Sequence, residues 1–169
     1  RIEKARLLAL SGDFLAAQAI LDTVDADAAD ARLGQLRVAV LLELDRTDEA
    51  LALLGELIAK RPTDARLAIQ KAGVLVRQER FADAEQALLD VINANPRAES
   101  AYAALLRIYD AHGGSLPDYP QGYQRLLRRM FATIPKSRIA RLTNAGILEV
   151  RGNHAQAERE LDKLLEDNP

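Results

Sequence analysis

A repeat of about 34 residues, marked by prolines, is the feature that most constrains how this chain can fold. The prolines lie 34, 39 and 34 residues apart: Pro62, Pro96, Pro135 and Pro169. Each closes an apolar run with helical spacing, of which Ala84, Leu88 and Val91 are one example. A fixed period of this length is typical of stacked helical hairpins, each of which buries its apolar face only against its neighbours.

Composition favours helices throughout the array. Apolar residues make up 49% of the chain but aromatics only 4%, so the apolar mass is chiefly Ala and Leu, which are strong helix formers. The face marked by Ala84 recurs in other hairpins: Ala50, Leu54, Leu57; Tyr123, Leu127, Met130; Ala157, Leu161, Leu164. The sequence therefore predicts an all-α fold.

The same pattern predicts five hairpins in one domain. Their expected repeats are 1–30, 31–64, 65–98, 99–137 and 138–169. The predicted helices are 2–10 and 14–24, 32–44 and 48–60, 65–77 and 81–94, 99–111 and about 121–134, 138–150 and 154–167. The fourth repeat carries an expanded loop, 112–122, with two Gly and two Pro. We expect helix caps at Thr47, at Thr63 or Asp64, and at Ser137.

The repeat resembles the tetratricopeptide repeat. Tyr102, Leu105, Leu106 and Tyr109 match the spacing of that family's first helix. The second-helix positions are matched by pairs of a small residue and a Leu: Ala17 and Leu21, Ala50 and Leu54, Ala84 and Leu88, Ala157 and Leu161. Gly12 and Gly152 occupy the turn between helices. The resemblance implies a right-handed superhelical solenoid of about five repeats, with ligands on the concave wall of the first helices.

Catalysis and metal binding find little support in the sequence. His112 and His154 lie at separate turns without a nucleophile or carboxylate at a motif spacing, and there is no Cys. A calcium loop starting at Asp25 would require Gly and Glu where Asp30 and Leu36 stand. We therefore expect no enzyme activity, no cofactor and no metal site.

A basic segment is the main charge feature. No acidic residue occurs between Asp118 and Glu149, while the residues between them carry a charge of +6: Arg125, Arg128, Arg129, Lys136, Arg138 and Arg141. This segment could attract an acidic partner, or it could be an ordinary solvated surface. Nucleic acid is not expected, because the chain has a net charge of −2 and no stacking aromatics among these arginines.

The predicted groove is a stripe on the first helices, one position away from their packing residues. Its members are Gln35, Ala39, Leu42, Ile69, Gly73, Val76, Ala103, Arg107, Leu142 and Gly146. Small and apolar side chains in this stripe suit an amphipathic helix or an apolar peptide. The alternative is that the stripe packs against the adjoining repeat. The Lys and Asn with which some family members hold a C-terminal carboxylate are missing from it.

The resulting functional hypothesis is non-catalytic protein–protein interaction through the groove. Two alternatives remain open: a spacer in a longer solenoid or self-assembling array, and the regulatory arm of an enzyme. The lack of an apolar run of about 20 residues argues against a membrane span. We expect a soluble protein, cytoplasmic or periplasmic, that is part of a longer chain and associates end to end.

Overall fold

The computed structural model describes residues 1–24 and 31–166. Within them the chain forms ten α-helices and a short 3₁₀ turn, with no strand. The helices are α1 (Ile2–Leu10), α2 (Phe14–Asp22), α3 (Ala31–Glu43), α4 (Thr47–Lys60), α5 (Ala65–Arg77), α6 (Phe81–Ala94), α7 (Glu99–His112), α8 (Gln121–Thr133), α9 (Arg138–Val150) and α10 (His154–Glu166). Consecutive helices pack as hairpins, and hairpins stack on one another, so the fold is the predicted all-α solenoid.

Four of the hairpins turn in the same way. One residue between the two helices takes a left-handed conformation, with φ between 57° and 84°: Gly12, Asp45, Glu79 and Gly152. The next amide then donates to a carbonyl at the end of the first helix, as Arg80 N does to Leu75 O at 2.9 Å. This arrangement satisfies carbonyls that the helix end would otherwise leave free. The sequence predicts this left-handed turn residue where it is Gly, but not where it is Asp or Glu.

The starts of α2, α5 and α9 are capped by side chains, and one predicted cap is wrong. Asp13, Asp64 and Ser137 accept hydrogen bonds from backbone N–H groups of the first turns of α2, α5 and α9. Thr47 is instead the first residue of α4, preceded by Arg46, whose side chain makes no capping hydrogen bond. The Arg46 guanidinium binds Glu49 at 2.6 Å, tying the turn to the helix through an exposed ion pair.

The core follows the predicted faces of α4 and α6. Ala84, Leu88 and Val91 are buried in a cluster that extends from α4 through α9. Ala50 and Leu54 are buried in a separate cluster shared by α3, α4 and α5. The predicted face of α10 is not buried at Leu161, which is 40% exposed. The first helices also contact one another, α1 with α3, α5 with α7 and α7 with α9. We call the surface that the first helices form the wall.

The fourth hairpin departs from the others because of its insertion. Gly113–Ser115 forms a 3₁₀ turn within the segment predicted as a loop. Leu116 then packs into the core, and α8 starts at Gln121. The insertion also rotates the buried face of α8 slightly. The most buried positions are Gly122, Leu126 and Met130, while Tyr123 and Leu127 are half-buried.

Candidate protein-binding groove

The predicted groove residues lie on the wall of the first helices, in two environments. Ala39, Gly73, Arg107, Leu142 and Gly146 are exposed. The remaining five are half-buried: Gln35, Leu42, Ile69, Val76 and Ala103.

The half-buried aliphatic residues of the stripe are consistent both with a ligand-binding groove and with packing between repeats. Leu42, Ile69 and Val76 pack against the main core cluster with part of their surface and expose the rest. Gly73 next to them faces open space, since a Cβ built there would have no neighbouring atom within 4 Å. The wall near α5 is therefore apolar and has no protruding side chain at Gly73. Its aliphatic side chains also contribute to core packing.

One concavity of the wall lies between α7 and α9. A pocket of about 560 Å³ opens there, which we call the α7–α9 pocket. Its lining residues are Ala103, Leu106, Arg107, Asp110, Tyr123, Ile139, Thr143, Gly146, Ile147, Val150 and Arg151. Three of them, Ala103, Arg107 and Gly146, belong to the predicted stripe.

The residues that sequence reasoning missed had a detectable signal. Ile139, Thr143, Ile147 and Val150 recur along α9 at helical spacing, so they share one face of that helix. The buried positions Ala140 and Ala145 lie on the packing side of α9 and do not account for this second stripe. Val150 is 91% exposed although it is aliphatic, which marks the edge of the pocket as an uncovered apolar surface.

A second hollow of about 460 Å³ continues the wall toward the start of α7 and includes Leu142, Arg138 and Ile139. At its edge Glu99 Oε1 accepts a hydrogen bond of 3.1 Å from Ile139 N. This contact places a carboxylate of the fourth repeat at the N-terminus of α9, where free N–H groups and the helix dipole both favour negative charge. It fixes the start of α9 against α7.

Three tyrosines join the insertion to the pocket. The ring of Tyr123 lies edge-on against that of Tyr109, with centroids 5.6 Å apart, and Tyr119 packs against both. Burial raises the pKa of Tyr123, and the nearby Asp110 raises it further, so the phenol is neutral at physiological pH. Tyr119 and Tyr123 thus pack the longer turn against Tyr109, and Tyr123 also reaches the pocket.

The basic segment does not form one surface. Arg141 is buried, and its Nη1 donates to Lys163 O at 2.8 Å on α10. Arg129 donates to Asn93 Oδ1 at 2.5 Å and to Ile92 O at 2.8 Å. Arg125 pairs with Asp118 at the insertion. Arg128, Lys136 and Arg138 are exposed, as is Arg125 beside Asp118, and they keep the side of α8 and α9 positive.

The histidines take part in local contacts at their turns. The ring of His112 stacks on Phe81, with centroids 4.3 Å apart. His154 Nδ1 lies 2.6 Å from Glu149 Oε2 in an exposed pair. Among residues 1–24 and 31–166, no three His, Cys, Asp or Glu side chains converge on a potential metal site. The acidic residues considered for a calcium loop, Asp25, Asp27 and Asp30, lie outside the described residues.

In the same described part of the chain, no helix is long and apolar enough to cross a membrane.

Comparisons with known proteins agree with this architecture. A tetratricopeptide repeat family model matches residues 41–108. No curated protein sequence matches the chain.

Solved structures extend the likeness to the whole length. A tetratricopeptide repeat protein from Parabacteroides merdae aligns over 98% of this chain and 64% of its own, with 18% identity and a TM-score of 0.62. MamA aligns over 96% of this chain and 92% of its own, with 18% identity and a TM-score of 0.58. MamA from Desulfovibrio magneticus aligns over 97% and 90%, with 16% identity and a TM-score of 0.55. Residues 41–108 therefore belong to the tetratricopeptide repeat family, and the hairpins on either side of them share its fold.

Proposed function

We propose that this chain is a non-catalytic protein-interaction scaffold that binds a peptide or helical segment on the wall of its first helices. The observation that carries the proposal is the open character of this wall. It contains small exposed positions at Ala39, Gly73 and Gly146 and a pocket with an apolar lining between α7 and α9. Surfaces that are concave and mostly apolar with a few polar groups are the usual places where proteins bind ligands.

The test compares partner binding by wall variants of the intact protein. Ile69→Glu and Val76→Glu place charges on the apolar wall and should abolish capture of the partner. The matched controls are Ile58→Glu and Leu89→Glu, which alter half-buried aliphatic residues on the second helices α4 and α6. Affinity purification with quantitative mass spectrometry reads out which proteins are lost with the wall variants and kept with the controls.

Folding must be measured beside binding, because Ile69 and Val76 also contact the core. Gly73→Leu supplies an independent variant, since open space surrounds Gly73 and the new side chain would stand on the wall without displacing the protein's own atoms. We expect a folded protein with weakened partner binding. If Ile69→Glu and Val76→Glu unfold the protein and Gly73→Leu binds normally, the stripe is internal packing and the groove proposal is wrong.

A second candidate function, end-to-end association of copies, is favoured by exposed leucines on the first and last hairpins. Leu7, Leu10 and Leu15 are 60%, 75% and 74% exposed on α1 and α2, and Leu165 is 68% exposed on α10. Aliphatic surface of this extent at the two faces of a repeat array favours stacking. Residues 1–64 carry a net charge of −4 and residues 149–169 one of −3, so salt should strengthen the association by screening repulsion.

Analytical ultracentrifugation tests this second candidate. We expect the average mass to rise with protein concentration and with salt, and the rise to disappear in Leu10→Asp and Leu165→Asp. A constant monomer mass at high concentration in both salt conditions would reject it.

A further inference from the structure

We propose that the α7–α9 pocket is an anchor site for one apolar side chain of an internal peptide segment, with acidic residues beside the anchor. The inference rests on the function proposed above and adds to it the chemistry of the ligand and the place where it is held.

The insertion in the fourth repeat positions the side chains that form the floor of the pocket. In the third hairpin only residues 78–80 separate α5 from α6, whereas residues 113–120 separate α7 from α8. Leu116 fills the core beside α7, and Tyr119 supports Tyr123 from the outer side. Tyr123 is thereby held edge-on to Tyr109 and reaches the space between α7 and α9. A floor held by two neighbouring rings is rigid, and a rigid site binds without the entropic cost of ordering itself.

The size and lining of the pocket fit an apolar anchor. Its volume of about 560 Å³ lies within the range of about 300–1,000 Å³ that is usual for ligand pockets. Leu106, Tyr123 and Ile147 supply apolar surface, and the exposed Val150 stands at the edge. A partner side chain that covers Val150 removes aliphatic surface from water, which stabilises the complex.

The positive charges at the rim of the pocket favour acidic residues next to the anchor side chain of the bound peptide. Arg107 and Arg151 line the pocket against a single acid, Asp110, and neither arginine forms an ion pair with any residue in the described ranges. Arg138, exposed in the adjoining hollow, adds a third positive charge. Guanidinium groups bind carboxylates with two parallel hydrogen bonds, so an acidic neighbour of the anchor gains both charge attraction and orientation.

The probe is an array of short peptides, acetylated and amidated so that no terminal charge contributes. The central position is Leu, Phe or Ser, and its flanking positions are Glu, Ser or Lys. We expect the intact wild-type protein to bind Leu- and Phe-centred peptides with Glu flanks, and to bind Ser-centred or Lys-flanked peptides at least about tenfold more weakly. Fluorescence anisotropy on the selected peptides then measures Kd.

Variants connect the binding to the pocket. Gly146→Leu should obstruct the pocket and weaken binding at least about tenfold, because a side chain at this lining position has open space around it. Gly55→Leu is the matched control, since Gly55 is also open but lies on α4, away from the pocket. Arg107→Glu with Arg151→Glu should weaken binding of Glu-flanked peptides at least about tenfold and improve that of Lys-flanked ones, and Asp110→Asn should strengthen the former.

The outcomes separate this inference from the proposed function. Peptides that bind equally well to Gly146→Leu and to wild type would overturn the anchor site while leaving the groove function intact. A preference for basic flanks would overturn the assigned ligand chemistry. Absence of binding to every peptide would remove both the anchor and the support for a peptide-binding groove. If the pocket variants instead change the oligomeric mass of the pure protein, the occupant is a second copy and the inference is wrong.

Discussion

Tyr109 on α7 donates its hydroxyl hydrogen bond to Glu85 Oε1 on α6, and both side chains are buried. The start of α8 lies directly against this pair. A Cβ built on Gly122 would stand 2.6 Å from the Tyr109 hydroxyl and 3.3 Å from Glu85 Oε1. The hydrogen bond therefore joins α6 to α7, and the first turn of α8 packs directly against it where the insertion ends.

The first prediction concerns Gly122→Ala. We expect a loss of about 1–2 kcal/mol in the free energy of unfolding, because the added methyl displaces a hydroxyl that is held by Glu85. Urea denaturation measures it.

The double variant Gly122→Ala with Tyr109→Phe provides the control. Removing the hydroxyl removes the atom that the methyl meets, so Gly122→Ala should cost clearly less in the Tyr109→Phe background. Equal costs in the two backgrounds would contradict the close approach seen here.

The second prediction concerns alkaline pH. Burial, followed by the hydrogen bond to Glu85, raises the pKa of Tyr109 above its ordinary value near 10. Below pH 10 the phenol is protonated in both states. Above about pH 10 the unfolded chain loses a proton that the folded chain keeps, so the free energy of unfolding should fall as pH rises. In Tyr109→Phe this fall should be shallower, which urea titrations between pH 8 and about 11 will show.

The third prediction uses the repeated turn. Glu79 adopts φ of 59°, a conformation that costs a residue with a Cβ about 1 kcal/mol and costs Gly almost nothing. Glu79→Gly should therefore raise the free energy of unfolding by about 0.5–1 kcal/mol. Gly152→Ala, at the same position of the fifth hairpin, should lower it by a similar amount. Thermal denaturation of both variants tests this, and a loss of stability in Glu79→Gly would contradict it.

The fourth prediction compares two helix-interior glycines. Gly73→Ala should raise the free energy of unfolding by about 0.5–1 kcal/mol, because Ala favours the helix and no atom lies within 4 Å of the new Cβ. Gly34→Ala gains the same helix preference but places its Cβ 2.7 Å from Leu57 Cδ2, so we expect a net loss of about 1 kcal/mol. Chemical denaturation should give opposite signs, and equal gains would mean that Leu57 moves aside freely.

The same contact shows how the space beside Gly34 is filled. Leu57 from α4 occupies the space beside Gly34, so the second helix supplies the apolar volume that the first helix lacks.

The sequence by itself determined the helical array. The 34-residue period and the 3.6-residue spacing of apolar positions act locally along the chain, and they located α5 and α6 to the residue and the buried face of Ala84, Leu88 and Val91. Local chemistry also predicted the cap at Ser137 and limited the cap of α5 to Thr63 or Asp64, of which Asp64 is the one observed. These features depend on a residue and its near neighbours, which is the information that one sequence contains.

Only the tertiary structure decided which surfaces remain open. The arginines between Asp118 and Glu149 look equivalent in sequence, yet Arg141 is buried against α10 while Arg138 is exposed, because the contacts between helices select among them. The pocket lies between α7 and α9 because Tyr123 is positioned by Tyr109 and because Glu99 fixes the start of α9. These contacts join residues 14 and 40 positions apart in the chain, and helical periodicity does not reach across such separations.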